Sequence, residues 1–183
     1  MISLGLILRA SEFYRGLGFA PLSVPLTIDE DISAFTRPLG RVDLPHVGGK
    51  VYPASAEQSF LQLLRNGFFP LGRYQAITPC YRDEPVLDAW YHRIFLKLEL
   101  IDIGSTEVEP VISAAEQFFQ SCDGFKVQRV PEGDHLDLVT QEGVELGSYG
   151  SRVFEGQPYV YGTGLAEPRT SLVCGQSFFR PEA

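Results

Sequence analysis

From residue 91 to residue 103 the chain alternates in character at every step. His92, Ile94, Leu96, Leu98 and Leu100 fall on one face of an extended strand; Arg93, Phe95, Lys97, Glu99 and Ile101 fall on the other. The first face is almost wholly apolar. The second presents charge and an aromatic ring. A strand of this kind packs on helices with one side and lines a polar site with the other. It belongs to a sheet whose two faces do different work. Residues 76–84 read as a second long strand just ahead of it, joined to it by a short turn at 86–91.

The rest of the chain supports such a sheet. Residues 3–17 carry Leu4, Ile7, Leu8, Phe13 and Leu17 close to a helical period, with Gly16 and Gly18 to end it. Residues 19–28 read as a strand broken by Pro21 and Pro25. The Pro- and Gly-rich stretch 38–49 reads as irregular, with a short strand near 41–44. Ser55, with Gln58 three residues later, fits a capping box that opens a helix running to about Asn66, before Gly67. Residues 107–122 read as a helix. Short strands follow at 125–130, 135–140, 144–152 and 158–165, then a closing helix over 167–173 with Pro168 in its first turn. Runs of strands with few helices predict the α+β class, with an antiparallel sheet flanked by helices.

Composition removes several classes of function. With 183 residues, 44 % of them hydrophobic and 21 % charged, the chain can bury a sizeable core and is expected to form one domain over 1–183. No apolar run approaches the roughly 18 residues of a membrane span, so no membrane partner is expected. The apolar start lacks a basic region and is interrupted by Arg9 and Glu12, which fits an amphipathic helix and not a signal peptide. Cys80, Cys122 and Cys174 form no close pair, and His46, His92 and His135 are equally scattered. That pattern argues against a disulfide framework and against structural zinc, with the cytoplasm as default compartment. A net charge of -8 disfavours broad electrostatic binding to nucleic acid but leaves room for a local basic patch.

Two segments carry candidate chemistry. The first is Pro79-Cys80-Tyr81-Arg82-Asp83-Glu84, followed after the turn by Phe95-Leu96-Lys97-Leu98-Glu99. The second is Gly162-Thr163-Gly164-Leu165-Ala166-Glu167-Pro168-Arg169. Alternation places Arg82 and Glu84 on one face. Taken alone, Arg-x-Glu also reads as an exposed ion pair, and Gly-x-Gly as a turn at a strand end. Taken together, the segments resemble motifs 2 and 3 of the class II aminoacyl-tRNA synthetase catalytic core, and the Phe-x-Lys-x-Glu run is most similar to the seryl group. Gly18-Phe19 followed by Pro25 loosely resembles motif 1. The resemblance covers nearly the whole chain, and no anticodon-binding domain is expected beside it.

The resemblance implies an ATP-dependent ligase that forms an aminoacyl adenylate. It implies that Arg82 and Arg169 grip the phosphates, and that Phe95 and Glu84 seat the adenine. Gly162 and Gly164 would let the backbone approach the nucleotide. Glu145, with Glu99 as neighbour, would hold Mg2+. Glu57 would contact the substrate amine, and Gly147 and Gly150 would line the amino-acid pocket. The bland alternatives are a solvated strand residue at Glu145 and a first-turn helix glutamate at Glu57. Motif 1 implies a homodimer; its alternative is a helix packed on its own sheet. The partners implied are an amino acid or related carboxylate and an acceptor, either tRNA or a carrier protein. A different implication of the same fold is a non-catalytic paralogue, a regulatory or assembly subunit that binds nucleotide or amino acid. A biotin- or lipoate-type ligase ranks last, because no catalytic lysine motif is recognisable.

Overall fold

The computed structural model of the chain describes residues 2–45, 48–68, 70–122 and 126–178. In order these form helix α1 (Leu4–Gly16), the two-residue strands β1 (Ala20–Pro21) and β2 (Ile28–Asp29), α2 (Glu30–Thr36), β3 (Lys50–Val51) and α3 (Ala56–Arg65). The long strands β4 (Gly72–Tyr81) and β5 (Ile94–Ile103) follow, then α4 (Glu109–Gln120). The chain continues with β6 (Val127–Glu132), β7 (His135–Thr140), β8 (Glu145–Phe154), β9 (Gln157–Glu167) and α5 (Arg169–Phe178).

One sheet of seven strands runs in the order β1-β4-β5-β9-β8-β7-β6. Only β1 on β4 is parallel; the other pairings are antiparallel. β2 and β3 pair separately. This is the α+β architecture that the strand-rich sequence predicts. No helix among the described residues is long and apolar enough to cross a membrane.

The alternation of β5 divides the core in two. Leu98 and Leu100 pack under α1 and α4 with Tyr14, Phe118, Phe119 and Tyr149. Ile101 and Ile103 face the other way and pack with Phe60 and Leu61 of α3, and with Tyr159. α1 is opened by the Ser3 hydroxyl, which accepts from the Leu6 N–H. Its Ile7, Ala10 and Tyr14 are buried, and the Tyr14 hydroxyl donates to the Gly164 carbonyl at 2.8 Å. α1 is therefore a helix packed on its own sheet, although Leu4 and Leu8 on its outer side stay exposed.

Several local expectations change. Ser55 caps α3 by accepting from the Glu57 N–H, but the reciprocal half of the capping box is absent. Gln58 accepts instead from the Ala54 N–H and donates to Thr36. Residues 41–44 form no strand. Two of their side chains are held individually: Arg41 donates to the Asp83 carbonyl, and Asp43 pairs with Ser33 and Arg37. β4 stops at Tyr81, so Arg82 and Glu84 lie just past the strand. α2 was not anticipated; Asp29, Glu30 and Asp31 at its start are the residues that favour a helix N-terminus. The expected strand start at Phe125, and His46, lie outside the described residues. All three cysteines are free thiols and buried. Burial pushes the Cys80 thiol up to about 11, so it behaves as a small core residue and not a nucleophile.

Candidate functional site

The sheet face opposite α1 and α4 holds a cavity of about 330 Å³, within the range of small-molecule pockets. Strand register orders its floor. Phe95 lies opposite Cys80, Lys97 opposite Thr78, and Glu99 opposite Ala76. Across β9, Lys97 meets Ala166, Glu99 meets Thr163 and Ile101 meets Tyr161. On β8, Gly150 meets Tyr161 and Arg152 meets Tyr159. The rows therefore run from Phe95 at one end, through Glu99, to Arg152 at the other.

Two arginines from separate elements reach the Phe95 end. Arg82 donates its Nε to the Ala54 carbonyl at 3.1 Å, and its guanidinium lies 5.0 Å from the Phe95 ring centroid. Among the described residues its partners are a carbonyl and a ring, not a carboxylate. Arg169, at the start of α5, bonds the Glu145 carbonyl at 3.2 Å and its carboxylate at 3.4 Å, and lies over the Tyr91 ring. Glu84 is buried and pairs with Arg41 at 3.2 Å. The exposed Arg82–Glu84 ion pair, the bland reading of that motif, does not form.

The middle row is a closed polar knot. Glu99 is 1 % exposed and accepts from Lys97 Nζ at 2.9 Å and Ser55 Oγ at 2.7 Å. The far row is a second buried pair. Glu57 Oε1 accepts from Arg152 at 2.6 Å and from the Tyr159 hydroxyl at 2.8 Å. Burial raises the Glu57 carboxyl above its ordinary value, against the pull of Arg152. Arg152 stacks 4.3 Å from the centroid of the Tyr161 ring, and burial pushes that hydroxyl up to about 12.

The structure thus brings Arg82, Arg169, Glu84, Phe95, Glu57, Glu99 and Glu145 to one cavity. The four glycines have a different reason to be small. A Cβ on Gly164 would lie 2.5 Å from Leu98 Cδ2 and 2.9 Å from Tyr14, and one on Gly162 would lie 2.5 Å from the Tyr149 ring. On the side where a Cβ would point, both make room for the core under α1 and α4. A Cβ on Gly147 would meet Thr163 at 2.4 Å, and one on Gly150 the Tyr161 hydroxyl at 2.6 Å. These two admit neighbouring side chains of the cavity wall.

The two candidate metal carboxylates also part ways. Both oxygens of Glu99 are taken by Lys97 and Ser55, and the group is buried. Glu145 is 44 % exposed and held only loosely by Arg169. Mg2+ on a nucleotide needs one or two protein carboxylates, the remaining ligands being phosphate and water. Glu145 fits that requirement and Glu99 does not. Among the described residues no cluster of three metal-ligating side chains forms.

Sequence reasoning missed Arg152, Tyr159, Tyr161 and the Ser55–Lys97 contact. The available signal was alternation: Ser148, Gly150 and Arg152 share one face of β8. Tyr91, at the end of the turn between β4 and β5, lies under the Arg169 guanidinium at 5.5 Å from its ring centroid.

The whole fold is that of the class II aminoacyl-tRNA synthetase catalytic domain. A pyrrolysyl-tRNA synthetase from Desulfitobacterium hafniense superposes with a TM-score of 0.73 at 20 % identity, over 94 % of this chain and 67 % of that one. A cytoplasmic serine-tRNA ligase from Naegleria fowleri, solved with AMP, gives 0.76 at 17 % identity over 98 % of this chain and 49 % of its own. The seryl-tRNA synthetase of Pyrococcus horikoshii, complexed with ATP, gives 0.73 at 16 % identity, over 92 % and 49 %. The chain thus spans about half the length of these seryl enzymes. No protein-family model matches the chain, and no curated protein matches it in sequence.

Proposed function

We propose that this chain binds ATP and activates the carboxylate of an amino acid as its adenylate. The observation that carries the reading is Arg82: a guanidinium facing a cavity and held by a carbonyl and a ring. Its charge is left for an anionic ligand. Arg169 approaches the same space from a separate helix start. The similarity to enzymes solved with AMP and ATP agrees with this.

In the proposed reaction the substrate carboxylate attacks the α-phosphorus. A carboxylate–phosphorus bond forms, and the bond to pyrophosphate breaks. The attacking group is already ionised, so no general base is needed. Arg82 would stabilise charge on the α-phosphate and Arg169 charge on the departing phosphates. Adenine would take the Phe95 face, with Arg82 displaced toward the phosphates, and Glu84 would fix its edge. Glu145 would hold Mg2+, which when bound neutralises phosphate charge. Glu57 would accept from the substrate amine.

The acceptor in this reading is tRNA or another carrier. Leu4 and Leu8, exposed on α1, would form part of a homodimer surface, testable by sedimentation equilibrium. The central test is ATP–pyrophosphate exchange across the standard amino acids. Exchange with one of them, lost in Arg82→Ala, is the expected result. ATP binding without exchange for any of them would favour the regulatory paralogue.

A further inference from the structure

The far row of the cavity has a chemistry of its own. Arg152 carries five N–H donors in a planar fork. In the fold one nitrogen is committed to Glu57 at 2.6 Å. The guanidinium lies over the Tyr161 ring, 4.3 Å from its centroid. Gly150 makes this possible, because any Cβ there would strike the Tyr161 hydroxyl. The Arg152 side chain remains 28 % exposed and lines the cavity. Beyond Glu57 and the neighbouring Tyr159 hydroxyl, no further side-chain acceptor meets its donors among the described residues. Glu57 is likewise half used: Oε1 takes both Arg152 and Tyr159, while Oε2 has no hydrogen-bond partner among the described residues.

Register gives the distances. Phe95 and Glu99 are four residues apart on β5, roughly 13 Å at strand rise. The Arg152–Tyr159 row pairs with Ile103, four residues and roughly 13 Å beyond Glu99, and the Arg152 side chain reaches back over the ring of the intervening Tyr161 row. A molecule with its phosphate end at Arg82 and its amine at Glu57 has its remaining substituent beside Arg152.

We propose that Arg152 is a specificity-determining residue, selecting an amino acid whose side chain ends in a carboxylate or carboxamide. The proposal rests on the amino-acid-activating reading above. A planar oxygen acceptor satisfies the fixed fork. An apolar side chain would cover a guanidinium without giving it a partner, which is costly. Glu57 already balances the charge of Arg152, so both the acidic side chain and its amide are admissible. The shared chemistry is a side-chain carbonyl oxygen.

The test is calorimetric titration of the full chain with each standard amino acid, with and without α,β-methylene-ATP. Binding is expected to be confined to members of the set aspartate, asparagine, glutamate and glutamine. Arg152→Met should weaken it by about 10- to 100-fold, the loss of a charge-assisted hydrogen bond. Affinity for the nucleotide analogue should stay within about twofold, since Arg152 lies at the opposite end of the cavity. Arg152→Lys keeps the charge beside Glu57, so it guards against a misfolded variant. It should restore binding only in part, because an ammonium lacks the fork. Preferred binding of an amino acid without a side-chain carbonyl overturns the proposal. So does an unchanged preference in both variants, or no binding by any of the four. Failure of the analogue to bind would instead sink the activation reading, while the amino-acid titrations still decide the role of Arg152.

Discussion

The two ends of the cavity use arginine in opposite ways. At the Phe95 end, Arg82 rests on a backbone carbonyl and a ring, with its charge uncompensated by any carboxylate among the described residues. At the other end, Arg152 shares a buried carboxylate with Tyr159. An uncompensated guanidinium in a cavity is a site that lacks its anion. A compensated one is part of the wall, and serves a ligand only through the donors left over. The largest expected effect is therefore at the first end. Arg82→Ala should lower exchange by about 10²- to 10³-fold, the usual effect of removing one preorganised charge donor, with little change in thermal stability. A drop in melting temperature matching the loss of activity would show that the two ends are alike after all.

The second end should answer in stability. Glu57 is buried, and Glu57→Ala leaves Arg152 and the Tyr159 hydroxyl without their acceptor. Breaking such a pair costs about 3 kcal/mol, readable as a shift of the urea midpoint. The same substitution would then lower amino-acid binding on the folded fraction as well. A midpoint within experimental error of the wild type would contradict the buried pair.

The difference between the ends was only half visible in the sequence. Arg82, Glu84 and Phe95 sit in one contiguous stretch, and alternation alone sends Phe95, Lys97 and Glu99 to a single face. That part was legible because strand periodicity is a local property. The far row draws Glu57 from α3, Arg152 from β8 and Tyr159 from β9; the register of β8 on β9 sets Arg152 beside Tyr159, and the packing of α3 on the sheet brings Glu57 to both. Register depends on turns and on bulges such as those between Leu98 and Glu99 and between Leu138 and Val139, which periodicity does not encode. The glycines illustrate the same limit. The sequence marks Gly162 and Gly164 as places of close approach, but cannot say that what approaches is Tyr149, Leu98 and Tyr14.

That last point separates core from site. If Gly164 is small for packing, Gly164→Ala overpacks a contact 2.5 Å from Leu98 Cδ2. It should then cost about 1–3 kcal/mol of stability, while ATP affinity on the folded fraction is unchanged. If ATP affinity falls and stability does not, the glycine serves the nucleotide directly.

The smallest effect expected is in pH dependence, and its sign is definite. Desolvation raises the folded-state carboxyl of Glu57 above its unfolded value, outweighing Arg152 and Tyr159. Between the two values the folded state holds a proton that the unfolded state has released. Stability from this group is thus fully present below the unfolded value and is lost as pH rises through the folded one. Glu57→Gln keeps an acceptor for Tyr159 and Arg152 and removes the titration. Stability measured in urea from pH 4 to pH 7 (a range that starts about at the unfolded carboxyl value) should fall more steeply for the wild type than for Glu57→Gln. Asp29 provides the opposite case in the same chain: hydrogen bonds from Lys50 and Gln62 hold its carboxyl below the ordinary value. Its contribution is therefore lost as pH falls, and Asp29→Asn should flatten the acid side of the curve. Wild-type and Glu57→Gln curves that run parallel would mean that Arg152 fully offsets burial. The far row would then be an ion pair at ease in the wall, with correspondingly less drive to take up a ligand.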